Sequence, residues 1–228
     1  MMIWLRSALF NIVFFAMTFL LTIMATVVRL VAPRHVLAMA MLWAHVMVTA
    51  ARIICGMRVE VTGLDRIPHG AALIAPRHQS AFDTFVWLTL LPRCCYVLKH
   101  ELLRIPLFGG LIVGAGMIAI DRAGGGSAIR TLLREADRAV REQRQIVIFP
   151  EGTRSPPGVV GELQPGVAAM AARTRLPVIP VTTNSGQCWG RRAFRKQPGI
   201  IRIEVGEPIP AGLGRRELIR TLRARLES

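Results

Sequence analysis

Residues Ala8 to Val28 form an apolar run broken only by Asn11 and a few threonines, with Arg6 and Arg29 at its flanks. As a helix it would span about 30 Å, the thickness of a bilayer's hydrocarbon core. Such a segment either lies in lipid or has to be covered by protein. A cleavable signal sequence is the competing reading. Against it, no small-residue cleavage site follows cleanly, and a second apolar segment comes at once. That segment, Val36 to Met57, begins after a break at Pro33. It is helix-like, but His45, Thr49 and Arg52 fall at i, i+4 and i+7 on one face. A helix with that stripe is not ringed by lipid. It lies at the interface or packs its polar face on protein. Residues 1–57 are therefore expected to be a two-helix membrane anchor. Positive charge at both ends of the first helix leaves open whether it spans or re-enters.

From Arg58 onward, short apolar runs alternate with helical stretches. The pattern predicts strands at Ala71–Ala75, Cys94–Leu98, Met117–Ile120, Gln145–Phe149, Val178–Thr182 and Ile200–Val205. Helices are predicted at Ala81–Leu91, Ser127–Gln143, Gly166–Arg175 and Arg215–Leu226. This order gives an α/β domain over residues 58–228, with a largely parallel sheet flanked by helices.

The formal net charge is +15, which suits nucleic acid, an anionic membrane surface or an anionic substrate. Nucleic-acid binding of this kind calls for basic clusters interleaved with aromatics, and the chain has one Tyr. The densest basic stretch is Arg191, Arg192, Arg195 and Lys196, near the C-terminus. No zinc-finger or helix-turn-helix pattern is present. Apolar residues make up 52% of the chain, so the charge is read as attraction to an anionic membrane and not to nucleic acid. Cys55, Cys94, Cys95 and Cys188 have no metal-ligand spacing and read as reduced thiols in a cytoplasmic compartment. With the anchor, they put the domain on the cytoplasmic face of the cell inner membrane.

Four blocks could carry chemistry. In Arg77-His78-Gln79-Ser80-Ala81-Phe82-Asp83, a strand ends near Ala75 and a helix starts at Ser80 or Ala81. His78 then lies just outside the helix and Asp83 in its first turn, where a carboxylate can orient the imidazole as a base. The bland reading is a capping box between Ser80 and Asp83. In Phe149-Pro150-Glu151-Gly152-Thr153-Arg154-Ser155 the polar residues follow a strand, where α/β sheets place ligands. Gly152 permits close backbone approach, and Arg154 offers a planar fork for phosphate. Here the bland reading is a turn with a Glu151–Arg154 surface pair. Between Lys99 and Arg122, the glycines match neither a Walker loop nor a dinucleotide fingerprint, while Arg122 could be a second phosphate contact. Val178-Ile179-Pro180-Val181 reads as a buried strand whose proline places it near an edge or strand end.

In this order the blocks resemble the glycerolipid acyltransferase family, in its 1-acyl-sn-glycerol-3-phosphate acyltransferase subgroup. The resemblance covers roughly His78 to Val181, and the N-terminal apolar segment also fits. It departs at Arg77, where the family often has Asn, and at Leu163-Gln164-Pro165-Gly166, where many members carry a Lys. The resemblance implies that His78 takes the proton from the sn-2 hydroxyl of 1-acyl-sn-glycerol-3-phosphate and that Asp83 holds the imidazole. It implies that Glu151, Gly152, Thr153, Arg154 and Arg122 hold the glycerol-phosphate portion, and that the donor is acyl-CoA or acyl carrier protein. Neither cofactor nor metal is expected. The rival readings are another lysolipid acceptor, such as lyso-ornithine lipid, and a non-catalytic membrane scaffold.

Overall fold

A computed structural model describes residues 1–121 and 124–227. Two long helices come first, α1 (Met2–Val31) and α2 (Val36–Cys55), joined by a short 3-10 turn at Pro33–His35. Both are long and apolar enough to cross a membrane, with mean hydropathies of 2.2 and 1.7. α2 ends at Gly56, whose φ of 72° supplies the left-handed cap that closes the last turn. Only one side of the pair is covered. Phe10, Ala44, Met47 and Ala51 are fully buried, whereas Ile12, Phe15, Phe19 and Leu30 are largely exposed. His45, Thr49 and Arg52 point outward, so the polar stripe of α2 does not pack on the domain. The alanines and Met47 on the opposite face do so instead, since apolar burial outweighs any gain from hiding polar groups.

The sheet that follows has the strand order β1-β7-β6-β2-β5-β3-β4. Its strands are β1 (Met57–Thr62), β2 (Ala72–Pro76), β3 (Cys94–Lys99), β4 (Ile118–Ile120), β5 (Gln145–Val147), β6 (Val178–Thr183) and β7 (Gly199–Val205). All neighbours are parallel except β6 and β7, where Val181 faces Val205. The α/β reading with a largely parallel sheet thus stands. Strand β1 escaped it. Met57–Thr62 has the alternating burial of a half-covered strand, but it begins one residue after α2 stops, where the apolar helix masks its period. Pro180 lies on an interior strand, not an edge. It is tolerated there because it sits just beyond the paired stretch of the antiparallel ladder with β7.

Helices α3 (Asp83–Leu90), α4 (Phe108–Gly114), α5 (Gly125–Arg141), α6 (Gly166–Thr174), α7 (Ser185–Cys188) and α8 (Arg215–Glu227) complete the domain. One face of the sheet, through Ala72 and Ile74 of β2, packs on α1, α2 and α3. The other, through Leu73 and Ala75, packs on α5, α6 and α8. β2 and β5 are adjacent and parallel, with Ala72 opposite Gln145. Their carboxyl ends therefore deliver the His78 and Glu151 blocks to one place.

Candidate active site

Leaving β2, the chain turns through Arg77–Phe82 before α3 begins at Asp83, later than the Ser80 or Ala81 expected from sequence. The delay has a physical cause. Asp83 Oδ2 accepts the backbone N–H groups of Gln79 and Ser80, each at 2.8 Å, which holds those residues in a loop. The Ser80 hydroxyl accepts the N–H of Phe82 at 3.1 Å and not that of Asp83. The capping box is therefore closed only from its Asp83 side. The same Oδ2 lies 3.2 Å from Nδ1 of His78. An oxygen that already accepts two N–H groups acts as acceptor again, so Nδ1 carries the hydrogen and the lone pair sits on Nε2.

His78 is 9% exposed, and its ring stacks on Phe149 at 4.0 Å between centroids. Behind it, the Tyr96 hydroxyl donates to the Asp83 carbonyl at 3.2 Å. Burial pushes the Tyr96 phenol well above its ordinary pKa, so it remains a neutral donor.

The second block arrives from β5. Glu151 was expected to hold substrate, and here the geometry differs. Its Oε1 accepts the backbone N–H of His78 at 3.0 Å. Its Oε2 accepts that of Gly161 at 2.9 Å. The Ser155 N–H returns to the His78 carbonyl at 2.8 Å. Glu151 is 3% exposed and is not among the residues lining the cavity beside His78; its two hydrogen bonds fasten the two blocks together. Among the described residues no ion pair joins it to Arg154. Gly152 has φ 66°, a left-handed conformation that favours glycine at this turn.

Gly152, Thr153 and Arg154 do face a cavity of about 580 Å³, together with His78. Arg154 is half-buried, and its Nε has no hydrogen-bond partner among the described residues. Burial lowers its pKa, the nearby Asp83 opposes that shift, and Arg191 adds to it. The charged side chains at the wall are Lys99, Arg154, Arg191 and Arg192, with no carboxylate among the described lining residues. Arg191 and Arg192 entered the sequence reading only as net charge. They reach the site because the loop after α7 folds back over it, a placement with no local signature. Arg122 lies outside the described residues.

The rest of the cavity is apolar. Leu21 and Ala25 come from α1, Val36 and Met39 from α2, and Leu111 and Ile112 from α4. The two N-terminal helices are thus walls of the site. Such a site can take an amphiphile, with its anionic part against the cations and its chain in the apolar space, and can draw a proton from a hydroxyl beside His78. The four cysteines are free and buried, and none lines the cavity. Ser80 is fully buried and is not among the lining residues; the hydroxyls that share the cavity with His78 include those of Thr84, Tyr96 and Thr153.

The sequence model of the Acyltransferase family matches residues 58–184. The chain is 36% identical over 169 residues to the 1-acyl-sn-glycerol-3-phosphate acyltransferase of Pseudomonas aeruginosa, over 74% of this chain and 66% of that one. It is 31% identical over 170 residues to the enzyme of that name from Cocos nucifera, over 74% of this chain and 55% of the relative. The mouse 1-acyl-sn-glycerol-3-phosphate acyltransferase alpha is 31% identical over 193 residues, 83% of this chain and 67% of its own. The chain therefore spans about two-thirds or less of the length of the first two relatives. The crystal structure of a 1-acyl-sn-glycerophosphate acyltransferase from Thermotoga maritima shares the fold, with a TM-score of 0.72 at 23% identity, over 99% of this chain and 92% of that one.

Proposed function

This chain belongs to the acyltransferase family, and we propose that it transfers a fatty acyl group from an acyl thioester to the sn-2 hydroxyl of 1-acyl-sn-glycerol-3-phosphate, giving phosphatidic acid. The observation that carries this reading is the His78–Asp83 pair at the wall of an apolar cavity whose charged lining side chains are all cations. An acceptor with a phosphate, a neighbouring hydroxyl and an acyl chain matches each part of that site.

His78 Nε2 takes the hydroxyl proton as the oxygen attacks the thioester carbonyl. The resulting imidazolium, held by Asp83, returns that proton to the departing thiolate. Thiolate is already a good leaving group, so the step asks for no Lewis acid. Arg154 holds the acceptor phosphate through its planar fork, with Arg191 nearby at the same cavity and Arg122 as a further contact. Gly152 and Thr153 shape the turn that presents Arg154. The donor is acyl-CoA or acyl carrier protein, whose chain runs into the apolar part of the cavity.

Residues 1–57 serve as the membrane anchor, and residues 58–228 form the catalytic domain on the cytoplasmic face of the inner membrane. The exposed apolar side of α1 and the unbridged, buried cysteines support that placement. The test is a thioester-dependent assay of the full-length protein in detergent, with acyl-CoA and acyl carrier protein each offered lysophosphatidic acid, lyso-ornithine lipid and glycerol 3-phosphate. Preferred formation of phosphatidic acid is expected. Equal or faster turnover of the phosphate-free acceptor would sink the reading.

A further inference from the structure

Residues Arg104 to Phe108 connect a 3-10 turn at His100–Arg104 to α4, and every one of them is exposed. After Arg104 the segment reads Ile105-Pro106-Leu107-Phe108, wholly apolar. Ile105 is 46% and Leu107 51% exposed, and Val113 on α4 reaches 66%. Leu107 also has φ 65°, a left-handed conformation that its Cβ disfavours. A large apolar side chain that is both strained and left in water is a double cost, and contiguous exposure of this kind marks a contact surface.

Two neighbours say what covers it. α4 packs on α1 and α2, and a Cβ placed on Gly110 would meet the Arg29 guanidinium at 2.7 Å. At that end α1 exposes Val27, Leu30 and Val31 at 55%, 73% and 75%. The segment is thus continuous with the most lipid-like surface of the molecule. Its borders carry exposed Arg104, Arg29 and Arg34, the signs that anionic head groups attract. On its inner side Phe108, Leu111 and Ile112 line the active-site cavity.

We propose that Ile105, Leu107 and Val113 form a second bilayer-contact surface, which seats at the head-group level of an anionic membrane and sets the α4 wall of the cavity against lipid. The proposal rests on the membrane reading of residues 1–57, but not on acyl transfer being the reaction. A lipid acceptor then reaches His78 past α4 without leaving its leaflet.

The test has a binding arm and a kinetic arm, both on the full-length chain reconstituted into vesicles of phosphatidylglycerol and phosphatidylethanolamine. In the first, Leu107→Cys is labelled with an environment-sensitive fluorophore, the native cysteines being buried. Its emission should shift to the blue and be quenched by nitroxides on the lipid acyl chains. Emission that stays water-like in vesicles overturns the proposal. So does a blue shift that follows protein concentration without lipid, which would mark contact with a second copy. In the second arm, Ile105→Ser, Leu107→Asn and Val113→Ser are combined; Asn suits the left-handed backbone, so the fold is not put at risk there. The apparent KM for acceptor presented in vesicles should rise roughly ten-fold, while turnover of a dispersed short-chain acceptor stays unchanged. Equal losses on both acceptors overturn the proposal. A label that inserts in a protein without transferase activity would mean that the proposed reaction has failed and this surface has not.

Discussion

Glu151 accepts the backbone N–H of His78 at 3.0 Å, across 73 residues of chain. The contact places a carboxylate next to the base yet off the reaction path, so it acts on the position of the imidazole and not on its proton. Glu151→Gln replaces one acceptor by an amide and leaves either the His78 or the Gly161 N–H without its partner. A buried donor left unpaired costs about 1–3 kcal/mol. Steady-state kinetics and thermal melts are expected to show a lowered kcat, a nearly unchanged acceptor KM and a lower Tm. A selective rise in acceptor KM would return Glu151 to a substrate-binding role.

His78 and Asp83 separate base from orienter. His78→Ala is expected to lower kcat by roughly 100- to 10,000-fold with the fold intact, the range for a lost general base. Asp83→Asn loses the charge facing Nδ1 and also disturbs the Gln79 and Ser80 N–H bonds, so it should lower Tm as well as kcat. Ser80→Ala should cost only about 1 kcal/mol, the net value of one hydrogen bond to Phe82. Incubation with labelled acyl thioester alone should leave no label on the denatured protein. Label that lysolipid then removes would establish an acyl-enzyme.

Arg191 is close enough to Arg154 to raise the cost of the Arg154 charge. Two cations held together at a cavity wall are stabilised by an anion placed between them. Arg154→Lys keeps the charge but loses the fork, and should raise the acceptor KM with little effect on the donor KM. Arg191→Ala should raise the acceptor KM less, because Arg191 is exposed. Equal effects on both substrates would assign the pair to the donor.

Removal of residues 1–57 is expected to destroy the domain and not to release it in soluble form, since Phe10, Ala44, Met47 and Ala51 belong to its core. A milder form of the test is Met47→Ala, which should cost about 2–5 kcal/mol. Docking of α1 can be probed separately at Lys196, whose ammonium lies 4.8 Å from the Trp189 ring and donates to Asn11. Lys196→Met leaves the Asn11 carbonyl unpartnered and should lower Tm; adding Asn11→Leu should recover part of the loss. A truncated chain that is monomeric and melts cooperatively would show that the helices are separable.

The sequence by itself determined the pieces. The run Ala8–Val28 could only be a long apolar helix, and the alternation after Arg58 could only be α/β, because side-chain period is a local property. His78 with Asp83 was readable as a possible pair for the same reason, five residues apart across a loop and a first helical turn, though local spacing alone fitted a capping box as well. Tertiary structure decided the rest. Whether Glu151 faces a ligand or the His78 backbone depends on β2 and β5 being parallel neighbours. Arg191 and Arg192 became site residues because the loop after α7 returns over the carboxyl ends of those strands. The two N-terminal helices became cavity walls because Ala44, Met47 and Ala51 found the sheet face left open. Each of these is a choice of partner between segments far apart in the chain. A buried N–H or carboxylate must be satisfied, but only strand order settles which distant group does it.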